Sequence, residues 1–496
     1  MASTSPYPRK DRFWRRLGAA SAPVALAAYL ALSAASPATA AGSRPALAAV
    51  SGGVLNAQAV HQGRIVPRGA TSPDITILPN VKISNNGPQP ANEVPITANP
   101  NNALQLESGA NDYNCNSFQG FYNSDNGGST WPHQHCLTVL SGKEGFGDPN
   151  VAYGLDGTAY ILGIQARSDF SQSVIAFQRS TDNGVSWSPV AAGPTAFYTN
   201  GLTDKEWTEV DQSASSPFAG CLYTSITQFD ASFVHETITV DHSCDGGATW
   251  SGPKAVSAEA TSPVTRQFSD LAVGDDGTVY ASWIKCTANG PAGDCGSTTA
   301  SLEFSKSTNG GNTWSAPSVI TTAKMAPDSC FCAYYGNVPT TSERVSMIPV
   351  IDVDASDNLN LVYYHYTGSF MQTKAVASTN GGTTWGAPVV VSAASARDQF
   401  FAWVSTDDAS GKIGVTYLQR NAGNYRAFVA VSTNGGATWK GNKSIATVAS
   451  KFVNDGFGGG FIGDYIGNIW AGNTLHASWI DTRTGTGQDE WGGVAF

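Results

Sequence analysis

The sequence predicts an all-β fold built from repeated, antiparallel, four-stranded units. An eight-residue turn motif recurs six times, alternating apolar segments precede each copy, and glycine accounts for 53 of 496 residues. Charged residues make up only 13% of the chain, against about 25% in a typical soluble domain. Many short strands joined by tight turns account for all three observations.

The recurrent motif has the pattern Ser-x-Asp/Asn-x-Gly-x-Ser/Thr-Trp. Its copies begin at residues 124, 180, 243, 307, 378 and 432, at intervals of 56, 63, 64, 71 and 54 residues. The Asp or Asn accepts hydrogen bonds from turn amides, the Gly takes a positive φ without a steric clash, and the Trp packs as an apolar plug. Six copies at such a period indicate one array of similar units.

This motif resembles the Asp-box, also called the bacterial neuraminidase repeat, and the resemblance covers about residues 90 to 496. It implies a β-propeller in which each box joins the third and fourth strands of a blade, away from the substrate face. The boxes are therefore expected to specify architecture and not to supply active-site residues.

The order of apolar segments predicts seven blades, each with strands A, B, C and D. After the sixth box, residues 461–496 provide another A, B and C but no D, and the strand-like segment 74–84 is left unassigned. We therefore expect the N-terminal segment to complete the last blade and close a ring, because closure removes open sheet edges. Six blades, as in familiar sialidases, with the last segment packed elsewhere, is the alternative. The predicted propeller spans residues 73–496.

The N-terminus is typical of an export signal. Residues 1–40 combine a basic start, an Ala-rich apolar run and an Ala-x-Ala cleavage site after Ala40, and residues 41–72 form a Gly/Ala/Ser/Pro-rich segment expected to be flexible. A membrane anchor is the alternative. No later segment has the length and hydropathy of a membrane span. We expect a secreted monomer, and the net charge of −10 without a basic tract argues against nucleic-acid binding.

Eight cysteines in an exported chain favour disulfides, although sequence alone leaves the connectivity open. Proximity suggests Cys115–Cys136, Cys221–Cys244 and Cys286–Cys295, each within one blade, while Cys330 and Cys332 would form a strained ring. A zinc site is the competing interpretation, but the Cys/His spacing does not support it. No cofactor is expected, although a structural Ca²⁺ on an acidic face is an alternative.

Functional residues of a propeller are expected where the strands A begin and the B–C loops gather. Few residues of this chain are charged, yet many of them lie at these positions. Asp148, Asp270 and Asp398 recur at similar repeat positions, so a structural role is the alternative for them.

The resemblance to sialidases implies specific roles at these positions. Three arginines grip the substrate carboxylate in that family, and Arg266, Arg420 and Arg483 are the candidates here. Tyr465 beside a carboxylate is the candidate nucleophile, and Asp204 is the candidate acid.

A different glycosidase would need only two carboxylates, for which Asp204 and Asp464 are the candidates. Substrate binding would then draw on further polar and aromatic side chains, namely Lys205, Trp207, Gln267, Asp398 and Gln399. Trp207, Tyr465 and Phe400 are also suited to stacking on sugar rings. The sequence favours a secreted sialidase-like glycoside hydrolase, and a non-catalytic exported propeller that binds glycans or proteins is the alternative.

Overall fold

A computed structural model of the chain describes residues 75–288, 295–328, 335–392, 396–458 and 460–495. The predictions of a signal peptide in residues 1–40 and of a flexible segment in residues 41–72 lie outside this part. So does the question of how Cys330 and Cys332 are linked.

Seven antiparallel sheets form the fold, and each is a blade with strands A to D. Blade 1 comprises Ile96–Asn99, Asn102–Asp112, Gly120–Ser124 and His133–Cys136. Blade 2 comprises Asn150–Tyr153, Ala159–Ala166, Val174–Ser180 and Ala191–Thr195. Blade 3 comprises Leu202–Val210, Leu222–Phe229, His235–Ser243 and Lys254–Ala255. Blade 4 comprises Val264–Val273, Val279–Thr287, Thr299–Ser307 and Ser318–Lys324. Blade 5 comprises Val350–Val353, Leu359–Tyr366, Met371–Ser378 and Val389–Val390. Blade 6 comprises Gln399–Asp407, Lys412–Asn421, Asn424–Ser432 and Lys440–Ser444. Blade 7 comprises Gly467–Ala471, Thr474–Asp481, Asp489–Ala495 and the N-terminal Val81–Lys82.

Short additional elements extend four of the blades. These are the strands Ala91–Asn92, Glu144–Gly145, Ala260–Thr261 and Ser450–Lys451. A single 3-10 turn, Phe452–Asn454, is the helical element of the described residues.

The seven strands A form the inner ring of the propeller. Each strand A contacts the strand A of the next blade, and the strand A of blade 7 contacts that of blade 1. Residues that lie far apart in the sequence but begin a strand A are therefore brought around one axis.

The N-terminal strand closes this ring. Val81–Lys82 pairs antiparallel with the last strand, with Val81 opposite Gly492 and Lys82 opposite Trp491. The amide of Ile83 donates to the carbonyl of Glu490 at 2.9 Å, and the Ile83 side chain is fully buried. The predicted seven-bladed propeller with N-terminal closure is confirmed, and the six-bladed alternative is wrong.

Each of the six recurrent turns joins strand C to strand D of its blade, and their hydrogen bonds repeat. In the last copy, Ser432 Oγ accepts from the amide of Gly436 at 3.0 Å and donates to Asn434 Oδ1 at 2.9 Å. Asn434 Oδ1 also accepts from the amide of Thr438 at 2.9 Å. The same set recurs in the other five copies, so these side chains are used in building the turn.

The second glycine of the turn also packs against the preceding blade. Gly382 in blade 5 has a φ of +78°, and an added Cβ would lie 2.4 Å from Phe304 Cζ in blade 4. Only glycine therefore satisfies both the backbone conformation and the space.

Three disulfides lie within single blades and match the suggested pairs. They are Cys115–Cys136, Cys221–Cys244 and Cys286–Cys295. Among the described residues, no helix is long and apolar enough to cross a membrane.

Substitution of Gly382 by alanine is expected to destabilise the propeller by roughly 1–3 kcal/mol, because the Cβ overpacks Phe304 at a positive φ. The control is Gly423→Ala, where nothing lies within 4 Å of the new Cβ and φ is not positive. Urea unfolding followed by tryptophan fluorescence measures both changes. A Gly382→Ala protein as stable as Gly423→Ala would contradict the proposed locking of adjacent blades.

Candidate functional site

A backbone kink recurs where the strands A begin. Six of the seven entrances carry a residue with positive φ, namely Glu93 (58°), Asp148 (54°), Lys205 (47°), Phe268 (60°), Phe401 (51°) and Gly463 (84°). In blades 3, 4 and 6 the A–B register shifts at the same place. Such bulges redirect side chains and are costly for residues other than glycine, so the kink marks this end of the inner ring as a candidate site.

Charged side chains from four blades and one loop meet at these entrances. We call them the central cluster, which consists of Glu93, Asp148, Asp204, Lys205, Glu206, Arg344 and Asp464. The charge of Lys205 interacts with Asp148, Glu206 and Glu93. The charge of Arg344 interacts with Glu93, Asp204 and Asp148, so the cluster is a single electrostatic unit.

Asp204 is a partly exposed carboxyl group with an altered proton affinity. Burial, together with the negative charge of Asp148, raises the pKa of Asp204 to about 6. Gln267 Nε2 donates to Asp204 Oδ2 at 2.9 Å. This bond and the charges of Arg344 and Lys205 oppose the rise. A carboxyl group with such a pKa can donate a proton near neutral pH.

Lys205 follows Asp204 in the strand and lies against two aromatic rings. Its Nζ is 4.6 Å from the ring centroid of Trp207 and 4.4 Å from that of Tyr465. The side chain is 3% exposed, and burial lowers the pKa of Lys205, while Asp148 and other carboxylates oppose this shift. Within the described part of the chain, Nζ has no hydrogen-bond partner.

Glu206 is equally buried, at 2% exposed. In the described ranges neither of its carboxylate oxygens has a hydrogen-bond partner. Burial, and then the charge of Asp148, raises the pKa of Glu206 well above its usual value. Buried polar groups are normally satisfied, so unpartnered atoms on Glu206 and Lys205 point to solvent or ligand at this site.

Arg344 and Asp464 form a two-pronged ion pair beside these residues. Arg344 Nε donates to Asp464 Oδ1 at 3.0 Å, and Nη2 donates to Oδ2. Ser346 Oγ donates to the carbonyl of Asp464 at 2.7 Å. A bidentate pair fixes the orientation of the carboxylate, so Asp464 is held in place from the loop that precedes blade 5.

Tyr465 forms a wall of the site. Its hydroxyl donates to the carbonyl of Pro149 at 2.9 Å, and its ring lies near Trp207 and Trp403, with centroids 6.0 and 6.1 Å away. Burial, followed by the charges of Glu93 and Asp148, raises the pKa of Tyr465 well above its usual value. These surroundings disfavour the phenolate that a nucleophilic tyrosine requires. A small adjoining cavity of about 10 Å³ has room for about one water molecule.

The three candidate arginines are each paired with a different carboxylate. Arg266 Nε contacts Glu303 at 2.9 Å. Arg420 Nη1 lies 3.2 Å from Asp398, and Arg483 Nη2 lies 2.6 Å from Asp481. Arg483 also stacks on Trp491, 3.9 Å from its ring centroid. The structure thus binds each guanidinium in its own ion pair and gives the three no common partner among the described residues.

Asp398 and Gln399 connect blade 6 to blade 5. Asp398 Oδ1 accepts from the amide of Met371 at 3.1 Å, and Gln399 Oε1 accepts from the amide of Thr373 at 3.0 Å. Asp270 does the same between blades 4 and 5, because its Oδ2 accepts from the amide of Ile351 at 2.7 Å. Asp270, Asp398 and Gln399 therefore link neighbouring blades.

The candidates therefore divide into two groups. The structure brings together Asp204, Lys205, Trp207, Gln267, Asp464 and Tyr465. It places the remaining candidates in separate contacts, namely Arg266, Arg420, Arg483, Asp398 and Gln399.

Arg344 was not among the residues predicted from the sequence, because the segment that leads directly into blade 5, residues 347–349, carries no charge. This residue lies six positions before the strand Val350–Val353, and only the fold carries it to Asp464. In the described ranges, no group of three or more His, Cys, Asp or Glu side chains is arranged to hold a metal ion.

Several solved structures show distant similarity to this chain. A Hadza microbial sialidase is 11% identical, with 78% of this chain and 72% of that chain covered and a TM-score of 0.42. An ulvan lyase from polysaccharide lyase family 25 is 11% identical (83% and 95% covered, TM-score 0.49). The Penicillium chrysogenum α-L-arabinanase bound to arabinobiose is 16% identical (72% and 98% covered, TM-score 0.45). No family model and no curated protein matches the chain.

Substitution of Asp148 by asparagine is expected to lower the pKa of Asp204 from about 6 toward 3.8, because a repelling negative charge is removed. Carbon-detected NMR titration of ¹³C-labelled aspartates measures the shift, and the Asp204→Asn spectrum assigns the signal. The control is Asp156→Asn, in the A–B turn of blade 2. An unchanged Asp204 pKa in Asp148→Asn would show that the two carboxylates do not interact.

Proposed function

We propose that this protein is a glycoside hydrolase whose active site is the central cluster. The observation that carries the proposal is Asp204, a partly exposed residue whose pKa is raised to about 6 by burial of its carboxyl group and by the negative charge of Asp148. Glycosidases typically pair one protonated carboxyl group with one ionised carboxylate.

In this proposal Asp204 is the general acid. It donates a proton to the glycosidic oxygen as the bond to the leaving group breaks. The second carboxylate is Asp464, which the Arg344 guanidinium holds in a fixed orientation and which would serve as base or nucleophile. Tyr465 and Trp207 form the aromatic wall of the site, and Gln267 orients the acid through its 2.9 Å hydrogen bond.

A sialidase is the narrower version of this proposal. It requires guanidinium groups that are available to a substrate carboxylate. Arg266, Arg420 and Arg483 instead bind Glu303, Asp398 and Asp481. We therefore propose a glycosidase reaction for this propeller and do not propose sialic acid as its substrate.

We also propose that the chain is an exported member of the Asp-box propellers. Three disulfides in the described residues are consistent with an oxidising compartment. Export would be supported by protein recovered from the culture medium whose mass equals that of a chain beginning at Ala41. Full-length protein that stays inside the cell would contradict it.

A non-catalytic propeller that binds glycans or proteins is the second candidate. It is favoured by ion pairs between charged groups at the strand entrances, such as Arg344 with Asp464, because paired groups are less available for catalysis. Turnover separates the two candidates.

Substitution of Asp204 by asparagine is expected to lower kcat by about 10²–10⁴-fold, because the general acid is lost. The substrates are a panel of fluorogenic glycosides and of plant and bacterial polysaccharides, assayed by released sugar. For the wild-type protein we expect kcat to fall as the pH rises through about 6, since Asp204 must be protonated to act as acid.

The matched control is Asp156→Asn, which makes the same chemical change away from the cluster and should leave kcat unaltered. Asp464→Asn should be as damaging as Asp204→Asn. Glycan binding without turnover by the wild-type protein would support the binding propeller. Turnover that survives in Asp204→Asn would contradict the assigned acid.

A further inference from the structure

The central cluster presents carboxylates, and not cations, to an incoming ligand. Asp148 and Asp204 are partly exposed, whereas the Lys205 ammonium is nearly fully buried. Since the Lys205 Nζ is buried against the rings of Trp207 and Tyr465, a ligand reaches the two carboxylates first.

The other cation of the cluster is already engaged. Arg344 makes its two-pronged contact with Asp464, and its charge also faces Glu93, Asp204 and Asp148. The cluster thus holds five carboxyl groups, from Glu93, Asp148, Asp204, Glu206 and Asp464, and two cations, from Lys205 and Arg344. The raised pKa of Glu206 favours its neutral form, but the remaining four carboxyl groups still outnumber the two cations. A ligand carboxylate would be repelled at such a site, and a ligand cation would be attracted.

Among the described residues, the unpartnered oxygens of Glu206 match the same ligand, whereas the unpartnered Lys205 Nζ lies against the rings of Trp207 and Tyr465. An ammonium group donates three hydrogen bonds and accepts none. Both carboxylate oxygens of Glu206 are buried and have no partner in the described part of the chain. Together with Asp148 and Asp204, the Glu206 carboxyl group provides acceptors for several donors in a small space, since even its protonated form keeps an acceptor oxygen.

We propose that the central cluster binds the protonated amine of an amino sugar, so that the substrate is a glycan containing unacetylated hexosamine units. This inference deepens the proposed function and rests on the same site. It assigns to Asp148 and Asp204 a binding role toward the amine. Because the bound ammonium lowers the pKa of Asp204, the protonated form that acts as general acid is populated at a lower pH with this substrate than in the free protein.

Binding of the amine should change the protonation of Asp204, and this can be measured without turnover. A bound ammonium would favour the ionised form of Asp204, so binding near pH 6 should release protons. The charged and titratable groups that face Asp204 are Asp148, Lys205, Glu206, Glu236, Arg344 and Tyr465. The ammonium of the ligand adds to Lys205 and Arg344, which already oppose the raised pKa of Asp204.

Isothermal titration calorimetry at pH 6 tests the proposal. The probe is a β-1,4-linked glucosamine tetramer, titrated in two buffers with different ionisation enthalpies so that the protons released per bound ligand are measured. The comparison ligands are the fully N-acetylated tetramer and sialyllactose. We expect the glucosamine tetramer to bind at least ten-fold more tightly than either comparison ligand and to release protons.

Variants distinguish the site from general attraction to an acidic protein of net charge −10. Asp148→Asn and Asp204→Asn should each weaken binding of the glucosamine tetramer about ten-fold or more, and Asp204→Asn should lose most of the proton release. Asp156→Asn removes the same charge elsewhere and should bind as the wild type does.

Equal binding of the acetylated tetramer, tighter binding of sialyllactose, or no effect of Asp148→Asn and Asp204→Asn would each overturn the inference. Parallel chromatography of the incubated oligosaccharides reports cleavage. Binding with proton release but without cleavage of any glycan would uphold the amine site and contradict the hydrolase. Cleavage of neutral or acidic glycans alone would do the reverse.

Discussion

Closure of the ring by the N-terminal strand is the constraint on which the site depends. Val81–Lys82 completes the sheet of blade 7, and this holds blade 7 against blade 1. The backbone carbonyl of Tyr465 then accepts from the amide of Val94 at 3.4 Å, while its hydroxyl donates to the carbonyl of Pro149. Blades 7, 1 and 2 meet at one tyrosine only because the last blade is completed by the first strand of the chain. An open array would separate Asp464 from Glu93 and Asp148.

The recurrent kink explains why charged side chains gather at this end of the ring. Strained backbone at a non-glycine residue costs of order 1–3 kcal/mol and persists where the surroundings enforce it. Lys205 has a φ of +47° at a shift in strand register. The kink sets Asp204, Lys205 and Glu206 among the neighbouring blades, where burial and the charge of Asp148 raise the pKa of Asp204 and burial lowers that of Lys205. The same deformation that shifts the strand register thus places these side chains where their proton affinities are altered.

Much of the fold could be predicted from the sequence because its determinants are local. Each turn between strands C and D carries its own hydrogen-bond acceptors and its own glycine, as Ser432, Asn434 and Gly436 show. Counting the apolar segments after the sixth turn motif showed that the last blade lacks its own fourth strand. The three disulfides followed from short separations of 21, 23 and 9 residues.

The site could be predicted only in part because its pairings are not local. Arg344 meets Asp464 across 120 residues, and no spacing rule shows that contact. Conversely, Arg266 and Arg483 look available in the sequence, yet Glu303 and Asp481 occupy them. The sequence did indicate that Asp204 and Asp464 lie at the entrances of strands A. Which charges would remain open to a ligand was decided by packing.

The central claim is that a glycan binds where Asp148, Asp204 and Arg344 meet at the entrances of the inner strands. A crystal structure of Asp204→Asn soaked with an oligosaccharide tests it most directly, because this variant should leave the sugar uncleaved. The account predicts electron density for a sugar ring within hydrogen-bond distance of Asp148 and residue 204, beside Trp207 and Tyr465. A sugar bound only elsewhere on the propeller, with the central cluster empty, would contradict it.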